Sequence, residues 1–147
     1  MKSMNMRLAA FVMAAFALLA SPIASQAAED KNAGLFVNLT TLDTSRAGHA
    51  LMLADGARKR GHPVVIFLNH KAALIAAEGV PHPSFKGRTL DQLLTTAIAD
   101  GATVVVCKMC LDDHGLTEPN LVEGAVISSP EVVHGYLFDP AYKVMTW

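Results

Sequence analysis

Cysteine is scarce in this chain, with two residues in 147, Cys107 and Cys110. There is no second C-x-x-C and no clustered His pair, so the four ligands of a closed zinc site are not present in any recognisable spacing. Charge is sparse and balanced. Twelve Lys and Arg stand against thirteen Asp and Glu, a formal net charge of −1. Without a block of like charge, nothing marks a nucleic-acid partner. Internal repeats and low-complexity tracts are also missing. What remains is a length that allows one domain and an apolar content of 52%, ample for a core.

The N-terminal segment is expected to lie outside that domain. Lys2 and Arg7 give a positive start, and Leu8 to Ala20 is an uninterrupted apolar run, short for a membrane span. Ser21 and Pro22 break it, and Ser25-Gln26-Ala27 supplies small residues for a cut before Ala28. Residues 1–27 therefore read as a secretory signal peptide, leaving a mature chain of residues 28–147. An uncleaved N-terminal anchor is the alternative, but the expectation is a periplasmic protein with no stable membrane anchor. Cleavage removes two of the twelve basic residues and none of the thirteen acidic ones, leaving a net charge of −3. An oxidising compartment makes a disulfide the default fate of two nearby thiols.

Along the mature chain, strands alternate with helices. Gly34 to Leu39 reads as a first strand. Asp43, Thr44 and Ser45 are candidate caps for a helix carrying Ala47, Ala50, Leu51, Ala54 and Ala57 on one face. Arg58, Lys59 and Arg60 complement its C-terminal dipole, and Gly61 ends it. Pro63 to Leu68 is a wholly apolar second strand, completing a βαβ unit with parallel strands. Asn69 and His70 follow it, then a short helix over Lys71 to Glu78. Gly79 to Lys86 is a loop, a surface connection or a lid carrying His82. Thr89 and Gln92 fit a capping box for a helix bearing Leu90, Leu93, Leu94, Ala97 and Ile98. Thr103 to Val106 is the third strand. Ala125 to Ile127 and Tyr142 to Trp147 are two more, separated by a helix capped by Ser128 or Ser129 with Pro130 at its first position. The expected fold is α/β: a three-layer α/β/α sandwich on a mainly parallel five-stranded sheet.

The stretch from Thr103 to Gly115 carries the chemistry. A β-branched run changes within one residue to Cys-Lys-Met-Cys-Leu-Asp-Asp-His-Gly. A strand entering a helix places its last residues at the carboxyl edge of the sheet, where open α/β proteins bind ligands. Cys107 falls at the helix start with Lys108 beside it, and a helix N-terminus and a cation both favour the thiolate. Asp112 and Asp113 act in the opposite sense. Cys110 is within reach of Cys107 across one turn. A disulfide there closes so short a loop that it staples little, so the spacing suits reversible redox chemistry. Other readings stay open. Either cysteine can be an inert packing residue. Cys107, Cys110 and His114 can contribute to a soft-metal or small-ligand site in an oligomer. A thioredoxin-like arrangement fits poorly, because the pair follows the third strand.

From Leu35 to Trp147 the chain resembles the DsrE/DsrF-like family. The resemblance rests on Phe36-Val37-Asn38-Leu39-Thr40 with Ser45-Arg46-Ala47, on Val64 to Leu68, and on Val104-Val105-Val106-Cys107 with Gly115 eight residues on. Leu121 and Glu123-Gly124-Ala125-Val126 extend it. The resemblance implies a parallel five-stranded sheet, homo-oligomers (often trimers or hexamers) and, in sulfur-relay members, a cysteine that carries sulfur as a persulfide. In the TusD-like and DsrE-like branch that cysteine stands eight residues before the glycine, so the role falls on Cys107. Cys110 is extra relative to that branch, and His114 stands where a basic residue is usual. A signal peptide removes the role in tRNA thiolation. The resulting expectation is a periplasmic protein that handles sulfane sulfur. Cys107 is the acceptor, Cys110 the possible resolving thiol, and Lys108 and His114 are supporting groups. Asn38, Thr40 and Asn69 form the polar wall of the pocket. No cofactor is implied. The role is carriage more than catalysis, and no enzyme activity is claimed.

Overall fold

The computed structural model describes residue 30 and residues 32–147. The signal-peptide expectation falls on residues 1–27, outside the described residues. Among the described residues, seven strands and four α-helices follow in chain order: β1 (Gly34–Leu39), α1 (Thr44–Lys59), β2 (Val64–Leu68), β3 (Ser84–Phe85), β4 (Arg88–Thr89), α2 (Leu90–Ala99), β5 (Thr103–Val106), α3 (Lys108–Asp113), β6 (Ala125–Ile127), α4 (Pro130–Leu137) and β7 (Tyr142–Thr146). Two 3₁₀ helices, His70–Ala76 and Glu118–Asn120, sit in the connections.

The main sheet has the order β6-β5-β2-β1-β7, and every pairing in it is parallel. The five-stranded α/β architecture expected from the sequence is present. The strand order explains where the helices lie. From β1 to β2 to β5 to β6 the chain steps in one direction, so right-handed crossovers put the connecting helices on one face. The step from β6 back to β7 runs the other way, so α4 lies on the opposite face.

The sandwich is therefore unequal. Val37, Leu39, Val64, Ile66, Leu68, Val104 and Val106 point to the first face. There they form one core with Ala47, Ala50, Leu51 and Ala54 of α1, Leu90, Leu93 and Leu94 of α2, and Leu111 of α3. The alanines of α1 let its backbone sit close to the sheet. On the second face, Phe36, Val65 and Val105 are buried, and Val133, Tyr136 and Tyr142 pack against them. Val126, on the same side of the β6 edge, remains 47% exposed.

Local chemistry sets the element ends. Asp43 accepts from the Arg46 N–H at 2.8 Å to cap α1, and Gly61 ends that helix at φ 91°, a conformation glycine adopts without strain. Thr89 and Gln92 form the expected capping box. Ser129, one of the two candidate caps, accepts from Val132 N–H at 3.3 Å. Gly34 lies under the Tyr142 ring, where a Cβ would fall 2.5 Å from a ring carbon. The Gly79 to Lys86 connection contains β3, which pairs with β4 just beyond it in a two-stranded antiparallel ribbon. The Phe85 ring packs against His49 with centroids 4.8 Å apart, which anchors the connection on α1 as a surface element. The helix expected over Lys71 to Glu78 is a 3₁₀ helix that starts one residue earlier.

Two measurements test this packing. Ile66 is fully buried at the centre of the larger core, so Ile66→Ala is expected to lower unfolding free energy by about 2–5 kcal/mol in urea titrations. Burial, reinforced by repulsion from Tyr136 and Asp139, raises the Tyr142 phenol above its ordinary pKa. The native state then holds that proton more tightly than the unfolded chain. This stability is present below about pH 10 and is lost as pH rises through the raised value. Tyr142→Phe is expected to change stability little at neutral pH and to reduce the alkaline decline.

Candidate functional site

β5 is a run of Thr and Val, residues that suit a buried pleated strand. Its ladder continues one residue past the strand, because Cys107 N–H donates to Leu68 O at 2.8 Å. On the other side, Ser128 N–H donates to Val106 O at 2.8 Å. Cys107 is thus fixed at the carboxyl edge of the sheet between β2 and β6. It is also the N-cap of α3, and its Sγ accepts from Cys110 N–H at 3.3 Å. Leu111, 1% exposed, holds this short helix against the core. Cys110 precedes it and packs partly against the same core. Cys107 and Cys110 are joined as a disulfide with Cα atoms 5.3 Å apart.

The 3₁₀ helix after β2 approaches the same sulfurs. His70 N–H donates to Cys110 Sγ at 3.0 Å. His70 takes φ 50° to do so. This is the left-handed region, which His tolerates better than most residues but which still costs on the order of 1–2 kcal/mol. Such strain concentrates at functional sites. A cleft of about 190 Å³ opens here, lined by His70, Lys71, Cys110, Asp113 and His114. It presents one disulfide sulfur, two imidazoles, a cation and a carboxylate.

The residues singled out in the sequence divide into two groups. Cys107, Cys110 and His114 meet at α3, with His114 as its C-cap and a cleft wall. Lys108 is engaged elsewhere on α3. Its Nζ pairs with Asp112 at 2.8 and 3.1 Å, both side chains are more than half exposed, and its N–H donates to Ser128 Oγ at 3.2 Å. A neighbouring carboxylate therefore offsets the charge expected to favour a thiolate.

Asn38, Thr40 and Asn69 do lie at strand carboxyl edges, but they are engaged with one another and with β7. Asn69 Nδ2 donates to Asn38 Oδ1, and Asn38 Nδ2 donates to Thr146 Oγ1 at 3.4 Å. Thr40 Oγ1 donates to Trp147 O at 2.6 Å. The bonds of Asn38 and Thr40 bridge the β1 and β7 edges, where the strand order reverses. The cleft beside the sulfurs has His70, Lys71 and Asp113 in its wall instead. His70 and Lys71 were legible as residues just beyond a strand at the cysteine edge, and Asp113 as i+3 to Cys110 on a helix.

Among the described residues, no group of three or more His, Cys, Asp or Glu side chains is arranged to hold a metal ion. The set of Cys107, Cys110 and His114 does not form one, because the two sulfurs are bonded to each other. Among the described residues no helix is long and apolar enough to cross a membrane.

The fold and this edge can be set beside known proteins. Over 109 residues the chain is 32% identical to the uncharacterized protein MJ0760 of Methanocaldococcus jannaschii, a match covering 71% of this chain and 39% of that protein. The crystal structure of the ychN protein from E. coli aligns with a TM-score of 0.66 at 19% identity, covering 78% of this chain and 98% of that one. The MTH1491 protein of Methanobacterium thermoautotrophicum, of unknown function, aligns with a TM-score of 0.59 at 13% identity, covering 78% and 99%. These two structures share the fold. Residues 31–147 match the model of the DsrE/DsrF-like family, and the chain belongs to that family.

Proposed function

We propose that this protein handles sulfane sulfur, with Cys107 as the persulfide acceptor and Cys110 as its resolving thiol. The observation that carries the reading is the Cys107–Cys110 bridge at a strand-to-helix junction, with a backbone N–H directed at each sulfur. Hydrogen bonds to a charged sulfur favour the thiolate, the form that acts as nucleophile. In the reduced protein the Cys107 thiolate attacks the outer sulfur of a persulfide donor. A sulfur–sulfur bond forms to Cys107, the donor's bond breaks, and the donor leaves as a thiolate. The Cys110 thiolate then attacks Cys107 Sγ, hydrosulfide leaves, and the disulfide forms. A thiol reductant returns the pair to its starting state. Family membership supports a sulfur-relay role, and the apolar N-terminal run supports export to the periplasm.

The reading includes a homo-oligomer, a trimer or hexamer. It is supported by the second sheet face, where α4 is the one helix of the described residues and Val126, Val132 and Val144 are 47%, 40% and 45% exposed.

Intact mass after incubation of the reduced protein with polysulfide tests the chemistry. Wild type is expected to gain about one sulfur atom transiently. Cys107→Ser is expected to lose the adduct, and Cys110→Ser to keep it at least ~10-fold longer, because nothing resolves it. No adduct on any of the three would sink the acceptor role. Sedimentation tests the assembly: wild type is expected at three or six protomers, and Val126→Asp with Val132→Asp at one.

A further inference from the structure

The two ends of the disulfide face different surroundings. Cys107 Sγ is turned to its own helix, where it accepts from Cys110 N–H at 3.3 Å. Cys110 Sγ accepts from His70 N–H at 3.0 Å, and Cys110 lines the cleft with His70, Lys71, Asp113 and His114. In thiol–disulfide exchange, access decides which sulfur is attacked, and the stability of the departing thiolate decides how readily the other leaves. Each sulfur accepts one backbone N–H, so a departing thiolate is stabilised at either end and access decides. The cleft gives entry to Cys110.

We propose that the bridge is reduced through Cys110, by a low-molecular-weight thiol that enters the cleft between His70 and His114. This deepens the reading of Cys107 as the sulfur acceptor, because it names the partner that resets the site. The thiol gives its proton to a cleft imidazole or to solvent, and its thiolate attacks Cys110 Sγ. A bond forms between the two, the Cys107–Cys110 bond breaks, and its electron pair leaves on Cys107 as a thiolate. A second thiolate attacks the sulfur of the bound thiol. A small-molecule disulfide leaves, and Cys110 departs as a thiolate. Two thiols are oxidised and one protein disulfide is reduced. The first step alone frees Cys107, so the acceptor is regenerated before its partner.

The sequence supplies a direct readout. Lys108 stands between the two cysteines, so trypsin separates Cys107, in residues 89–108, from Cys110, in residues 109–143. The oxidised full chain is treated with limiting 2-mercaptoethanol, quenched in acid with N-ethylmaleimide and digested. The mixed disulfide is expected on the Cys110 peptide, with maleimide on the Cys107 peptide, in at least ~10-fold excess over the reverse. Adduct mainly on Cys107, or shared equally, would overturn the direction and leave the persulfide role of Cys107 intact. Failure of the polysulfide experiment with the Cys110 adduct still forming would do the opposite. His114→Trp, at an exposed cleft wall, is expected to slow reduction at least ~5-fold without changing Tm. His70→Gly keeps the N–H and suits the left-handed backbone, so it removes the imidazole alone. It is expected to slow reduction at least ~5-fold with the backbone turn intact. Rates unchanged in both variants would show that the thiol does not use this cleft.

Discussion

The site depends on one hydrogen bond, from Cys107 N–H to Leu68 O at 2.8 Å. It is the last rung of the β2–β5 ladder, made by a residue that is already outside the strand. The rungs before it pair Val65 to Leu68 with Thr103 to Val106 in parallel register. Because all of these residues except Thr103 and the half-buried Phe67 are buried on one face or the other, the register cannot slip without exposing apolar side chains. The position of Cys107 at the sheet edge is thus inherited from the core. Everything local to it follows. The chain turns at ψ 114°, α3 starts, and Cys110 comes round one turn later onto the sulfur of Cys107.

Most of the fold was readable because its signals are short-range. The capping box at Thr89, the Pro130 helix start and the glycine stop at Gly61 each depend on residues within a few positions. Apolar runs at β2 and β5 marked buried parallel strands for the same reason. Strand order was not readable, since it depends on which strand each crossover passes. The partners of the edge residues were not readable on that account. Asn38, Thr40 and Asn69 were correctly put at carboxyl edges. However, β7 adds beside β1, and its edge residues hydrogen-bond with Asn38 and Thr40. The balance of charge around Cys107 was open in the sequence, which put Lys108 and the opposing Asp112 on the same helix; the fold pairs the two at i,i+4.

The left-handed backbone of His70 ties these levels together. A residue at φ 50° after an extended Asn69 reverses the chain direction at the end of β2. This turns an N–H toward the neighbouring strand's exit, where Cys110 Sγ accepts it. A strained residue persists only where its surroundings over-determine it. Here Leu68 on one side and Ala72, Ala73, Ile75 and Ala76 on the other are all fully buried, so both ends of the turn are held by the core.

The bridge itself is not what holds the fold together. Closing so few residues restricts the unfolded chain little, a stabilisation of about 2 kcal/mol in the chain-entropy model before any native strain. The larger core contributes far more, and it includes Leu111 of the very helix that carries Cys110. Breaking the bond therefore leaves α3 seated by Leu111, with Cys107 still hydrogen-bonded to Leu68. A pair arranged this way can open and close without unfolding its host, a property that the proposed cycle of uptake, release and reset requires.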